Sequence, residues 1–273
     1  MPNMFNRILF LAILVFGLSF AITVVSPPIG ELQNGDTINL GNIGPGQTVS
    51  LLIDPKVTSG GIHNEGGLYD FAQVTNLQTG WTSKESKLYA NPLQVTITAA
   101  PNATEGDYYA TVKVIDENNG EQLGTFEFRV KVHITYDVMN FNVDQSEIQV
   151  GPGQPARFGI TVVNKGSTGD VFEISATGPK RWAFRKQVYV PAMSSKTVNY
   201  EIVGGEEETY QATIGVTSLA SSIIHDEKNV TLHIRSGLFG DYLATNHGSP
   251  LFPIFETGPF ALAGLLSNLF GSG

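Results

Sequence analysis

Cysteine does not occur anywhere in the 273 residues. The fold therefore has no disulfide staple, and the chain offers no thiolate metal site and no cysteine nucleophile. Charge is scarce too: only 15% of residues are Asp, Glu, Lys or Arg, and the 16 basic residues are outnumbered by 25 acidic ones for a net charge of −9. An acidic chain lacks the basic footprint that phosphate binding requires, which excludes nucleic acid as a partner. Motifs of chemistry are missing as well. There is no Gly-x-Ser-x-Gly elbow and no glycine-rich phosphate loop running from a strand into a helix. His63, His225 and His247 are scattered without zinc-ligand spacing. No catalytic residue, cofactor site or metal site is expected, and the chain reads as a non-enzyme.

What is present is turn-forming and apolar. The chain holds 30 glycines, 14 prolines and 41% hydrophobic residues, enough for packed cores and against wholesale disorder. One stretch occurs twice: Gly44-Pro-Gly-Gln-Thr-Val-Ser-Leu-Leu-Ile53 reappears 107 positions on as Gly151-Pro-Gly-Gln-Pro-Ala-Arg-Phe-Gly-Ile160. Other landmarks follow in the same order. Trp81 is matched by Trp182, Tyr109-Ala-Thr-Val by Tyr210-Gln-Ala-Thr-Ile, and Val130-Lys-Val-His-Ile134 by Val230-Thr-Leu-His-Ile234. Ordered self-similarity at a near-constant spacing marks a duplicated domain. His133 and His233 are repeat equivalents, so they belong to the fold rather than to a site.

No sustained helical period occurs between residues 22 and 136. Strands are expected over Ile22–Val25, Thr37–Ile43, Thr48–Ile53, Tyr69–Thr75, Leu93–Ala99, Tyr108–Ile115 and Leu123–Thr135. In the second repeat they are expected over Glu147–Val150, Ala156–Asn164, Val171–Ala176, Gln187–Val190, Ser195–Val203, Tyr210–Leu219 and Val230–Ile234. Asn119-Gly120 predicts a primed hairpin turn. Lys56–Gly67 is a loop that the second repeat lacks at this length, and such an insertion is a natural place for a binding site. The fold class is all-β: two tandem Ig-like Greek-key β-sandwiches, residues 22–136 and 137–236, plus a short hydrophobic C-terminal helix.

Gly-Pro-Gly-Gln, a strand ending Val163-Asn-Lys-Gly166, then Asp170-Val-Phe-Glu-Ile174, Trp182, Val190-Pro-Ala192 and Tyr210-Gln-Ala-Thr-Ile-Gly-Val resemble the NPCBM-associated and CARDB-type Ig-like domains of secreted and cell-surface archaeal and bacterial proteins. The resemblance covers about residues 140–235 well and the first repeat more loosely. It implies a spacer, stalk or protein-interaction role. Tyr109 and Tyr210 fall where a tyrosine corner pins the entry to strand F, and Trp81 and Trp182 fall where core anchors belong.

The ends differ in character. Arg7, the apolar run Ile8–Gly17 and the small residues Ser19 and Ala21 lay out a secretory signal peptide over residues 1–21, with an uncleaved anchor as the rival reading. Either way the domains are expected outside the cytoplasm, at the cell surface or free of it. On that expectation Asn102-Ala-Thr and Asn229-Val-Thr are glycosylation sequons, Asn102 in a loop and Asn229 ahead of a strand. Residues 237–273 carry only Asp241 and Glu256 as charges. Leu251, Phe252, Ile254 and Phe255 are followed by a helix over Pro259–Phe270 bearing Phe260, Leu262, Leu265, Leu266, Leu269 and Phe270. At about 18 Å that helix is too short for a hydrocarbon core of about 30 Å. These residues are attachment candidates, toward the chain's own sandwich, a protein partner or second copy, or a membrane surface. Calcium is a minor expectation at Asp116-x-Asn118 with Glu121, or at Glu206–Glu208, because the loop pattern is only partly met. The alternative to a structural role is a glycan- or peptide-binding module using the 56–67 loop.

Overall fold

Wherever branched and aromatic residues alternate with polar ones, the alternate set points inward. Two separate clusters of buried side chains result, one spanning Ile22 to Ile134 and the other Val138 to Leu232. The structure, a computed structural model, describes residues 21–117, 120, 122–178 and 184–236. Among these residues every regular element is a strand. The first cluster is enclosed by β1 (Ala21–Ser26), β2 (Gly30–Gln33), β3 (Thr37–Ile43), β4 (Thr48–Ile53), β5 (Lys56–Val57), β6 (Gly67–Leu68), β7 (Phe71–Thr75), β8 (Thr82–Lys84), β9 (Leu93–Thr98), β10 (Gly106–Ile115) and β11 (Thr125–Ile134). The second is enclosed by β12 (Met139–Val143), β13 (Glu147–Val150), β14 (Pro155–Asn164), β15 (Asp170–Thr177), β16 (Lys186–Val190), β17 (Ser194–Val203), β18 (Thr209–Ser218) and β19 (His225–Ile234).

Each cluster lies between two sheets. In the first sandwich the order β2-β1-β4-β9-β8 faces β3-β11-β10-β7, with β5 and β6 forming a small ladder of their own. In the second, β12-β14-β17 faces β13-β19-β18-β15-β16. The strands β1, β4, β9 and β8 occupy the A, B, E and D places of an Ig-like sandwich, and β7, β10 and β11 the C, F and G places. β3 runs parallel to β11, and β13 repeats this against β19. The repeats diverge in three places: β2 and the β5–β6 ladder have no counterpart among the described residues of the second sandwich, and β8 pairs with β9 whereas β16 pairs with β15 on the opposite sheet.

Ile22–Val25 was expected to open the first domain, and β1 does so, pairing with β2 and β4 and burying Ile22 and Val24. β2, β5, β6, β8 and β12 lie where no strand was expected. The hairpin from β10 to β11 exists, but its ladder ends at the Ile115–Thr125 pair and Asp116 N–H donates to the Gly124 carbonyl. Gly120, Gln122 and Gly124 have left-handed backbone, and the turn expected at Asn119-Gly120 includes a residue outside those described. Asn118, Asn119 and Glu121, like Trp182, lie outside the described residues. So do the signal segment up to residue 20 and the whole 237–273 tail with its helix and attachment candidates.

The tyrosine corner of the first sandwich is Tyr108, not Tyr109. Tyr108 Oη donates to the Thr104 carbonyl at 3.0 Å, whereas Tyr109 is exposed. Trp81 is half-buried against the core with its ring centroid 5.0 Å from that of Tyr108. Tyr210 does fill the corner of the second sandwich, hydrogen-bonded to the Glu206 backbone; burial pushes its hydroxyl pKa up, and the Glu208 and Glu206 carboxylates push the same way.

Candidate functional site

The repeated Gly-Pro-Gly-Gln stretch forms the same loop in both sandwiches. Gln47 N–H donates to the Gly44 carbonyl while the Gly44 N–H donates to Gln47 Oε1 at 2.7 Å. Gln154 and Gly151 repeat both bonds, the second at 3.2 Å. Each loop is a compact knuckle at the end of a strand, held by its own glutamine amide.

The first knuckle is buried in the junction between the sandwiches. Gln47 Nε2 crosses to donate to Asp170 Oδ2 at 2.6 Å, and Ser218 Oγ donates to the same oxygen at 2.6 Å. The Val171 N–H occupies Asp170 Oδ1. Asp170, 6% exposed, is thus a carboxylate whose cost of burial is offset by hydrogen bonds. Around this node, Asn42 and Ser167 exchange two bonds: Asn42 N–H to Ser167 Oγ at 2.9 Å, and Ser167 N–H to the Asn42 carbonyl at 2.7 Å. Thr168 Oγ1 donates to the Thr48 carbonyl at 2.6 Å, and Ser221 Oγ to the Pro101 carbonyl at 3.1 Å. The loop that presents Ser167 and Thr168 is braced by buried Asn164. Its Nδ2 donates to the Thr168 and Val190 carbonyls, and its Oδ1 accepts from the Gly166 N–H.

Contact here is too close for larger residues. A Cβ on Gly44 would lie 2.3 Å from Ile224 Cδ1, and one on Gly46, whose φ is +71°, would lie 2.1 Å from the Ala220 carbonyl oxygen. Of these junction residues the knuckle, Asn164, Gly166 and Asp170 lay in stretches that stood out in the sequence, though nothing there marked a junction. The available signal was Asp170, an acid in the inward phase of a strand whose other inward residues are Phe172, Ile174 and Ala176.

The opposite pole of the first sandwich carries the 56–67 loop. It is folded on itself: Val57 is buried, β5 pairs with β6, Gly66 N–H donates to the Gly60 carbonyl, and Gly60 N–H to Asn64 Oδ1. Ile62, Leu68, Leu88 and Tyr89 are exposed at this end, and Tyr89 N–H donates to the Asp70 carbonyl. Asp70 is buried here, and its Oδ1 accepts the Glu117 N–H. Beside it, burial and the Asp116 carboxylate push the Tyr69 hydroxyl up.

The remaining candidates are dispersed. Asn102 is exposed in the turn next to Pro101, at the rim of the junction. Asn229 is also exposed but lies inside β19 rather than ahead of it, with Thr213 Oγ1 donating to its Oδ1. Asp116 Oδ2 accepts from Leu123 N–H, while Glu206–Glu208 lie at the far pole of the second sandwich, where Glu207 accepts from Ser236 N–H. The two calcium candidates are therefore at opposite ends, and among the described residues no three potential metal ligands cluster. His133 faces Asp107 across the β10–β11 ladder and His233 faces Thr209 across β18–β19, both Nδ1 atoms in hydrogen-bond contact. No helix of the described residues is long and apolar enough to cross a membrane.

Strand order and junction define a two-domain β-sandwich protein. No family model matches this chain, and no curated sequence matches it either, so the NPCBM-associated part of the resemblance has no counterpart there. Solved structures of similar fold include a chimeric titin Z1Z2 carrying a decorin peptide (TM-score 0.34, 10% identity, 80% of this chain and 99% of that one). A CARDB domain from Pyrococcus furiosus, in complex with di-metal ions, aligns over 36% of this chain and 91% of its own, at TM-score 0.26 and 16% identity. The human seminal-plasma complex of zinc 2-glycoprotein and prolactin inducible protein aligns over 36% of this chain and 95% of its own, at TM-score 0.29 and 9% identity. These scores are low, and the fold assignment rests on the strand pairing described above.

Proposed function

We propose that this chain is an exported, non-enzymatic structural and interaction protein of the cell surface. Two Ig-like sandwiches, 22–136 and 137–236, are held end to end outside the membrane, and the hydrophobic tail fixes them to an envelope, filament or membrane-complex partner. The observation that carries this reading is the latched junction. The chain enters at the pole of the first sandwich remote from the junction, where Ala21 pairs with Gln33, and leaves at the remote pole of the second, where Arg235 N–H donates to the Val150 carbonyl. A spacer needs that arrangement: attachment points at opposite ends and a stiff connection between. Exposed Asn102 and Asn229 suit a glycosylated exterior, and the cysteine-free chain places its stability in its two cores.

The test compares residues 22–273 with residues 22–236 by light scattering, without denaturant. Assembly or detergent dependence confined to the longer chain supports attachment through the tail; equal monomers refute it. A second reading, a glycan- or peptide-binding module, draws on exposed Tyr89, Leu88 and Leu68 beside the 56–67 loop. It requires binding to a glycan or peptide array that survives removal of residues 237–273 and is lost on Tyr89→Ala.

A further inference from the structure

We propose that Leu238 and Phe239 seat on the second knuckle, Gly151–Gln154, as Val138 seats on the first, so that the tail leaves the second sandwich through a fixed junction rather than a free tether. The inference rests on the internal repeat and does not depend on what the rest of the tail contacts.

The exit paths of the two sandwiches superimpose bond for bond. Thr135 N–H donates to the Ile43 carbonyl at 3.1 Å, and Arg235 N–H to the Val150 carbonyl at 3.1 Å. One residue on, Tyr136 N–H donates to Glu105 Oε1 at 3.0 Å, and Ser236 N–H to Glu207 Oε1 at 3.1 Å. The knuckles match as closely, since Gly46 N–H donates to the Ala100 carbonyl and Gly153 N–H to the Gly204 carbonyl. Two residues after Tyr136 comes Val138, fully buried, its Cγ2 2.9 Å from where a Cβ on Gly44 would stand. Two residues after Ser236 comes Leu238, apolar and followed by Phe239.

At the tip of the second knuckle Pro152 and Gly153 are exposed. Pro45 is buried but its counterpart Pro152 is exposed. A Cβ on Gly46 would strike the Ala220 carbonyl, while around one on Gly153 no atom of the described residues lies within 4 Å. The occupant is fixed by tether length: a chain pinned at Arg235 and Ser236 delivers residues 238 and 239 to this loop at a far higher local concentration than any second molecule. Leucine and phenylalanine also present more apolar area to Gly151 and Pro152 than valine does to Gly44.

Because the chain has no cysteine, a designed pair reports the contact without background. In the full-length chain, Gly151→Cys with Leu238→Cys should close an intramolecular disulfide under mild oxidation, seen as loss of two hydrogens in the intact mass. Closure requires the two Cα atoms to come within roughly 7 Å. The pair Gly151→Cys with Lys87→Cys, the latter exposed near the far pole of the first sandwich, should stay reduced. Failure of the first pair to close, equal closure of both pairs, or a disulfide-linked dimer overturns the proposal, the last by making a second copy the occupant. As an independent readout, Leu238→Asp in the full-length chain should speed amide exchange at residues 151–154 roughly tenfold and leave residues 44–47 unchanged. Unchanged exchange at 151–154 also overturns it.

Discussion

Asp170 is the residue on which the junction turns, because it is an ionisable group placed where a strand should bury an apolar one. Removing it strands two donors, Gln47 Nε2 and Ser218 Oγ, inside a closed interface. Asp170→Ala should therefore lower stability by about 3 kcal/mol, the scale of charge-assisted bonds lost with their partners left unsatisfied, read as a fall in the denaturant midpoint. Asp107 acts differently, at the surface of the first sandwich near the junction. Hydrogen bonds from Lys131 first and His133 second hold its carboxyl pKa below the usual carboxylate value. A depressed carboxylate pKa means that its contribution is complete above the unfolded value, about 3.9, and disappears as pH falls through the lower folded value. Melting temperature should drop between about pH 4 and pH 2 in the native protein and drop less over that window in Asp107→Asn. Equal acid limbs would show that the pair contributes nothing to stability.

At the scale of elements, the knuckle is the part least tolerant of change. Gly46→Ala places a Cβ on a left-handed residue and into the Ala220 carbonyl. The left-handed backbone alone costs about 1 kcal/mol, and the clash forces the sandwiches apart, so chymotryptic cleavage after exposed Tyr136 in the 135–138 linker should become faster while both cores stay folded. Much of this architecture was legible, and the exceptions have physical causes. β3, β4 and β13 were read to their observed ends because branched residues alternate cleanly between turn-forming glycines. β12 was passed over although Met139 and Phe141 point inward, since two asparagines in five residues lower its strand propensity. The tyrosine corner was misread by one residue through matching letters instead of phase. Ala110, Val112 and Val114 are inward, so Tyr108 shares their face and Tyr109 opposes it. The 56–67 loop stood out as an insertion, but its local hydrogen bonds did not, because they depend on left-handed backbone at Gly60, Gly61, Asn64 and Gly66. The junction was invisible for a more general reason. Ser167, Thr168 and Ser221 are ordinary loop residues until a second domain supplies their acceptors.

For the whole molecule, the question is whether two sandwiches joined by a short linker behave as one body. Interfaces within a chain commonly permit relative motion unless they are large and apolar. This one is keyed, with polar bonds at Asn42, Gln47, Thr48 and Pro101 spread around a knuckle that fits only without side chains at Gly44 and Gly46. Rotation about the linker must break several of these bonds together and expose Asp170 at the same time, which gives the junction one deep minimum instead of a shallow range. Dyes attached through Lys87→Cys and Glu206→Cys, exposed positions near opposite poles of the cysteine-free chain, should report a single narrow distance distribution by single-molecule energy transfer. Gln47→Ala combined with Thr168→Val, which removes two cross-domain donors and leaves each core intact, should broaden that distribution and increase the radius of gyration. A native distribution already as broad as that of the double variant would mean that the junction does not stiffen the rod. The two sandwiches would then act as independently moving beads, and a spacer role would have to rest on contour length alone.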